Sequence, residues 1–204
     1  MCACPSVDVT AIPATILPGA PLANGAVVAL RPARVGDAAL LERMYFRLSP
    51  RTIYYRLFVG APRVPDWACR FAAISLGTES TGVALVAVLG DDIIGTARFD
   101  RNTDCAAPSA SAEVGIVVED AWQGLGLGRF LLRRLADEAL ARGITTLTAH
   151  TLGENQRALR LFKGTFSGLR ITFAEGEYAI VAPLLPAGHE PPSHPIITPT
   201  SPNC

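Results

Sequence analysis

The chain has 204 residues, half of them hydrophobic, and its 18 basic and 18 acidic residues give a formal net charge of zero. This length fits one domain with a sizeable core, and the balanced charge argues against a nucleic-acid-binding protein, which usually carries a strongly basic surface. The five cysteines are scattered and the three histidines are isolated. We therefore expect neither a disulfide framework nor a metal site.

The two ends of the chain differ in composition from its middle. Residues 1–24 are rich in Pro, Ala and Gly, and residues 185–204 are rich in Pro. Such segments bury too little apolar surface to offset the entropy of ordering, so we expect both to be loosely ordered around one domain over residues 25–184. No signal-peptide pattern or apolar run of about 18 residues occurs, which predicts a cytoplasmic protein without a membrane partner.

The first half of the patterned region predicts one strand followed by helices. Residues 27–31 are typical of a short strand. Asp37 stands where a helix N-cap is expected, and apolar residues follow it at helical spacing. Pro50 suits the first turn of a second helix over residues 51–58, and residues 65–76 are expected to form a third.

The second half predicts a hairpin, then alternating strands and helices, then a closing hairpin. Gly90 and two aspartates favour a tight turn between β-rich runs, and Gly143 ends a helix with one apolar stripe. The strands are expected over residues 83–89, 93–99, 112–118, 145–151, 169–173 and 178–181, with a loop over 101–110 and a short helix around 158–162. This order predicts an α+β fold with a mixed, mostly antiparallel sheet flanked by helices.

A glycine-rich segment, residues 123–128, lies between a predicted strand and the amphipathic helix and reads Gln-Gly-Leu-Gly-Leu-Gly. Alternate glycines permit positive φ, and successive backbone N–H groups can then point into one concavity at the start of the helix. Such a concavity suits a pyrophosphate, although the pattern also fits a tight connection. The segment lacks the Lys-Ser/Thr of a P-loop, and its G-x-G-x-G spacing after a hairpin argues against a Rossmann site.

This segment resembles the Arg/Gln-x-x-Gly-x-Gly/Ala CoA motif of the GNAT superfamily of N-acetyltransferases. Asn155-Gln156-Arg157-Ala158 is similar to the second CoA-side motif of that family, and Ile93-Ile94-Gly95 is similar to its third strand. The resemblance implies a GNAT fold and direct transfer of the acetyl group of acetyl-CoA, as co-substrate and without a metal, to an amine. The residues it implies for acetyl-CoA are Ile116, Val117, Val118, Gln123, Gly124, Leu125, Gly126, Leu127, Gly128, Arg129 and Asn155.

The same resemblance implies that residues 115–118 splay away from the strand over 145–151. The pantetheine arm would enter this gap and pair with the backbone around Ile116 and Val118. Asn155 would bond the pantetheine or, equally, cap its own helix. Phe162 stands where many members of the family have a tyrosine acid, and phenylalanine cannot donate a proton.

A narrower resemblance concerns the acceptor. Residues 48–58, Leu-Ser-Pro-Arg-Thr-Ile-Tyr-Tyr-Arg-Leu-Phe, are similar to a stretch of bacterial protein lysine acetyltransferases of the Pat type. This favours a protein lysine ε-amine as acceptor. Arg51 and Tyr54, which share one helix face, are candidates for binding it, whereas Arg56 is expected to point away. Structural hydrogen bonding within the helix pair is the alternative role for these residues.

The reaction requires a base, because an amine with a pKa of about 10.4 is mostly protonated at neutral pH. Glu113 is unexpected in an apolar strand, and the resemblance implies a catalytic glutamate there. We expect it to be partly buried, which favours proton uptake; an ordinary solvent-facing strand residue is the alternative. Two rival functions remain: acetylation of a small-molecule amine, and a non-catalytic CoA-binding sensor or partner subunit.

Overall fold

The computed structural model describes residues 17–58, 82–102, 110–184 and 196–197. The predicted third helix, over residues 65–76, and most of the predicted loop over 101–110 lie outside them. The strands are β1 (Leu17–Pro21), β2 (Val27–Pro32), β3 (Val83–Leu89), β4 (Asp92–Arg101), β5 (Ser111–Val118), β6 (Thr146–Leu152), β7 (Arg170–Ala174), β8 (Glu177–Pro183) and β9 (Ile196–Ile197). The helices are α1 (Ala38–Arg47), α2 (Pro50–Leu57), α3 (Leu127–Leu140) and α4 (Gln156–Thr165), with short 3-10 turns at Val35–Asp37 and Asp120–Trp122.

The described strands form one mixed sheet in the spatial order β1-β2-β3-β4-β5-β6-β8-β7-β9. Strands β5 and β6 run parallel, as do β7 and β9, and the other neighbours are antiparallel. The predicted α+β class and the mostly antiparallel sheet are therefore confirmed. Helix α3 makes the connection between the parallel strands β5 and β6. The right-handed crossover of such units requires this helix to lie on one face of the sheet.

Helices cover both faces of the sheet, and each face has its own core. On one face Leu131, Leu132 and Leu135 of α3 are fully buried against the sheet, because their spacing places them on one helix stripe. On the other face Leu41 and Met44 of α1 pack with central strand residues. Each such leucine contributes about 1.5–3 kcal/mol by leaving water. The two cores fix the helices on opposite sides of β5.

Two short strands lie within the end segments. Leu17–Pro21 pairs with β2, and Ile196–Ile197 pairs with β7, so the sheet extends into both. The N-terminal segment is held because Leu22 is buried and the Ala23 N–H donates to Leu125 O at 3.1 Å. Composition alone does not reveal this, because an unpaired sheet edge offers backbone hydrogen bonds to any neighbouring segment.

Helix ends follow the predicted residues. Gly143, at φ 73°, closes α3 as predicted: its N–H donates to Leu140 O and the next N–H donates to Ala139 O. Asp37 precedes α1, but its side chain does not cap that helix. It accepts instead from the Arg34 N–H and from both terminal nitrogens of Arg31, each at 2.7 Å. Asp37 thus holds the predicted N-cap position, but its carboxylate is taken up by a charged partner on β2.

Candidate active site

The glycine turn forms the start of α3. Gly124 and Gly126 have φ of 79° and 96°, as predicted, and a Cβ on either would meet open space. Gly128 lies within the helix, where its role is close packing: a Cβ there would be 3.2 Å from the Leu161 side chain. Gly128 therefore contributes space for packing and not a positive φ.

Backbone donors in this turn are unused. After the Gln123 N–H, which donates to Asp120 O, the next backbone N–H with an acceptor in the described part of the chain belongs to Phe130, which donates to Gly126 O at 3.1 Å. The N–H groups of residues 124–129 thus remain available at the positive end of the α3 dipole. This arrangement can bind a pyrophosphate, because such an anion supplies the acceptors that the chain does not.

Other predicted residues of the turn are structural. Leu127 is fully buried in the core, and Leu125 packs partly against it. Arg129 is exposed, and its guanidinium extends toward α4, where a Cβ on Gly164 would lie 2.5 Å from Arg129 Nη2. Only the backbone of the two leucines faces the concavity, so their side chains hold the turn while the glycines shape it.

Gln123 ties the turn to three other elements. Its Nε2 donates to Val118 O at 2.8 Å and to Thr52 Oγ1 at 3.2 Å, and its Oε1 accepts from Arg157 Nη1. Asn155 caps α4, its Oδ1 accepting from the Ala158 N–H at 3.1 Å. The capping role is therefore observed, and the Asn155 Nδ2 group remains as the donor for a ligand.

Strands β5 and β6 separate beside the turn. They pair only at Ser111–Thr146, Ala112–Leu147 and Glu113–Thr148, although both continue for four further residues or more. The predicted splay of residues 115–118 is confirmed. A gap therefore opens in the middle of the sheet, at the level of the glycine turn.

The register with β4 decides which groups face this gap. Glu119 N donates to Ile94 O and Asn102 N donates to Ser111 O, so the odd-numbered residues of β5 bond to β4. In an antiparallel pair the intervening residues direct both backbone groups to the other side. The backbone of Ile116 and Val118 therefore faces the gap. Val117 does not: its backbone faces β4 and its side chain lies in the α1 core.

Glu113 is the last residue of β5 that pairs with β6. Its Cα is opposite Asp100 on β4 and Thr148 on β6, and its side chain is exposed. The expected partial burial is wrong, because the described helices leave this end of the face open. By strand alternation Glu113 shares its face with Gly115 and Val117, which lie under α1 and α2. The carboxylate is thus on the α2 side of the gap.

The α2 side chains are arranged differently from the helical-face prediction. Arg51 is exposed and pairs within its own helix, its Nε donating to Tyr55 Oη at 3.1 Å and its guanidinium lying 5.3 Å from that ring. Tyr54 is half-buried, with its ring 5.7 Å from that of Tyr55. Arg56, which was expected to point away, is the residue that reaches β5, against Gly115. A glycine within an apolar strand is the sequence signal that indicates such a close approach.

Asp120 joins α2 to the segment before the turn. Its carboxylate accepts from the Ser49 N–H at 2.8 Å, from Ser49 Oγ at 2.8 Å and from Thr52 Oγ1 at 2.7 Å. Burial favours a higher pKa for Asp120, but these hydrogen bonds outweigh it and hold the pKa below its usual value. The N-terminus of α2, which Ser49 caps, is therefore anchored beside the gap.

Phe162 is 4% exposed and lies in the α3 core, with its ring 6.0 Å from that of Phe166. It has no hydroxyl, so it supplies no proton at this position. In the described ranges, no cluster of His, Cys, Asp and Glu is suited to hold a metal ion, and no helix has the length and apolar character needed to cross a membrane.

Comparison with known proteins identifies the class. The model of the GNAT acetyltransferase family matches residues 48–166, more than half of the chain. The chain therefore belongs to the GNAT acetyltransferase family, whose members transfer an acetyl group from acetyl-CoA to an amine. Acetyl-CoA fits the site on two observations made above: the free N–H groups of residues 124–129 and the unpaired backbone of β5 at the gap.

Solved structures agree with this class. The GNAT domain of S. lividans PAT is 30% identical, with a TM-score of 0.71, over 81% of this chain and 96% of that domain. A Salmonella typhimurium protein solved with its cofactor acetyl-CoA has the same fold at 22% identity and a TM-score of 0.58, over 82% of this chain and 99% of that one. Spermidine N-acetyltransferase from Vibrio cholerae, in complex with CoA and spermine, also has it at 17% identity and a TM-score of 0.57, over 77% and 95% of the two chains.

Proposed function

We propose that this N-acetyltransferase acetylates the ε-amine of a protein lysine, with Glu113 as the general base. The position of Glu113 carries the proposal, because its exposed carboxylate stands where β5 and β6 part, on the side of α2. The Pat-like stretch, residues 48–58, forms α2 with its cap. The 30% identity to the GNAT domain of S. lividans PAT supports the same acceptor class.

The two sides of the gap have different roles in the proposed reaction. The glycine turn and the Asn155 side chain hold the cofactor from the α3 side, and the acceptor approaches Glu113 from the α2 side. Acetyl-CoA, when bound, supplies the acetyl group as a thioester. Glu113 takes a proton from the acceptor ammonium, directly or through one water, and the neutral amine then attacks the thioester carbonyl carbon.

The backbone of β5 stabilises the charge that develops. The Ile116 N–H faces the gap without a strand partner and donates to the carbonyl oxygen as the new C–N bond forms and the C–S bond breaks. Phe162 cannot protonate the departing sulfur. The proton that the sulfur takes up comes from water or from the attacking nitrogen, which loses its second proton as the amide forms.

The test is a CoA-release assay against a panel of lysine peptides and small amines, with mass spectrometry of the products. We expect an added acetyl group on the lysine side chain of peptides, with turnover well above that of polyamines and aminoglycosides. Exclusive turnover of small amines would reject the protein acceptor. Binding of acetyl-CoA without turnover of any amine would instead favour a non-catalytic sensor or partner subunit.

A further inference from the structure

One cation on the acceptor side has no partner in the described part of the chain. The guanidinium of Arg56 lies against Gly115, where an added Cβ would be 2.8 Å from Nη2 and 3.2 Å from Cζ. Its Nε is enclosed by protein and makes no hydrogen bond. The neighbouring cation differs: Arg98, opposite Gly115 on β4, donates to Asp100 Oδ2 through Nε at 2.7 Å.

An arginine in this state is costly. A guanidinium is a cation, and taking a charge partly out of water without an acceptor is unfavourable. Buried polar groups in native proteins are otherwise hydrogen-bonded almost without exception. No acceptor for the Arg56 donors lies in the described part of the chain, so an anion from a bound molecule can complete the site.

The location of Arg56 near Glu113 suggests that the anion belongs to the acceptor. Gly115 and Glu113 are two residues apart on the same strand face, about 7 Å at the rise of a β-strand. When the amine of an acceptor lies at Glu113, a residue one or two positions away along an extended peptide can therefore reach Arg56. A single negative charge suits one unpaired guanidinium beside the carboxylates of Glu113 and Asp100, whereas a doubly charged phosphate would be repelled by them.

We propose that Arg56 binds a carboxylate of the acceptor, so that the preferred substrate is a lysine with Asp or Glu within two residues. This inference rests on the proposed function, because it takes Glu113 as the place where the amine is deprotonated. A planar guanidinium binds a carboxylate through two parallel hydrogen bonds, which gives selectivity as well as affinity.

The experiment compares three peptides that differ only beside the lysine, with Asp, Asn or Arg there. For the wild-type protein we expect kcat/KM to be about tenfold higher with Asp than with Asn, since a hydrogen bond to a charged group is equivalent to about that factor or more. The difference should appear mainly in the KM for the peptide. Arg56→Met should abolish the preference, and Arg56→Lys should retain part of it.

Arg133→Met is the matched control, since Arg133 is exposed on α3 at the opposite face of the sheet. It should keep the full preference, and calorimetric CoA binding checks that each variant is folded. Equal kcat/KM for the Asp and Asn peptides in the wild-type protein would overturn the proposal, whatever the variants do. So would an Arg56→Met protein that keeps the preference.

Turnover of free lysine and of cadaverine tests the carboxylate preference separately from the protein-lysine acceptor. They carry the same aminoalkyl chain, with and without a carboxylate. If the protein acetylates only small amines, the protein-lysine acceptor is rejected. The carboxylate preference is then measured on this pair: faster turnover of lysine that depends on Arg56 supports it, and equal turnover overturns it.

Discussion

The two sides of the central gap are built from different parts of the polypeptide. On the α3 side the site consists of backbone: N–H groups of residues 124–129 and the β5 edge at Ile116. On the α2 side the proposed groups are side chains, chiefly Glu113 and Arg56. A backbone site leaves a glycine pattern in the sequence, whereas a side-chain site depends on which helix residue reaches which strand. This difference explains why the cofactor is easier to assign than the acceptor.

The largest expected effect is on the side-chain part of the site. Glu113→Gln removes the proton acceptor while keeping the shape of the side chain, so turnover should fall about 10²- to 10⁴-fold. The calorimetric affinity for acetyl-CoA should be unchanged, since Glu113 is on the α2 side. Asp100→Asn, directly opposite on β4, is the control. Asp100 is held by Arg98, so this variant should retain most activity; a loss equal to that of Glu113→Gln would contradict the base assignment.

The next effect tests the backbone part. Gly126→Asp adds a negative charge and a side chain at φ 96°, and the affinity for CoA should fall at least about tenfold. Gly126→Asn is the matched variant, because Asn tolerates this conformation and has the same size without the charge. It should weaken binding less. Equal loss in the two variants would show that strain, not anion binding, dominates at the turn.

A smaller effect is expected at the connection between the two sides. Asp120→Asn leaves the three donors of Ser49 and Thr52 with a neutral partner, which should cost about 1 kcal/mol of unfolding free energy at this exposed site. It should raise the KM for the acceptor more than the KM for acetyl-CoA, because α2 is the element released. Asp91→Asn, in an exposed hairpin turn, is the control. Equal changes in both KM values would show that Asp120 positions the turn as well.

The smallest effect is a dependence of stability on acid. The pKa values of Asp37 and Asp120 lie below their usual range, because hydrogen bonds outweigh the effect of burial. A carboxyl with a depressed folded pKa contributes stability above its unfolded pKa of about 3.9 and loses it as pH falls through the folded pKa. Thermal unfolding from pH 6 down to pH 2 should therefore show a decline confined to below about pH 4. Asp120→Asn should reduce the steepness of that decline, and an unchanged slope would exclude Asp120 as its source.

Much of the fold follows from local pattern. Strand alternation, the apolar stripe of α3 and the turn at Gly90 placed most strands and helices within one or two residues of their observed bounds. The strands β1 and β9 do not follow from composition, because pairing with other strands holds them and composition does not record that pairing. Asp37 holds the predicted N-cap position, but the pattern did not reveal its side-chain partner, because Arg31 is on another element.

The site, like the fold, has parts that follow from the sequence and parts that do not. The sequence by itself determined the glycine turn and an acidic residue in an apolar strand, because both depend on residue type at one position. Only the tertiary structure decided that Ile116 faces the gap while Val117 does not, since this depends on the register of β5 with β4. It also decided that Arg56 rather than Arg51 reaches the sheet. The docking of α2 sets that choice. Burial of Ile53 in the core that α1 shares with β3, β4 and β5 fixes the docking, partly through contacts far apart in the chain.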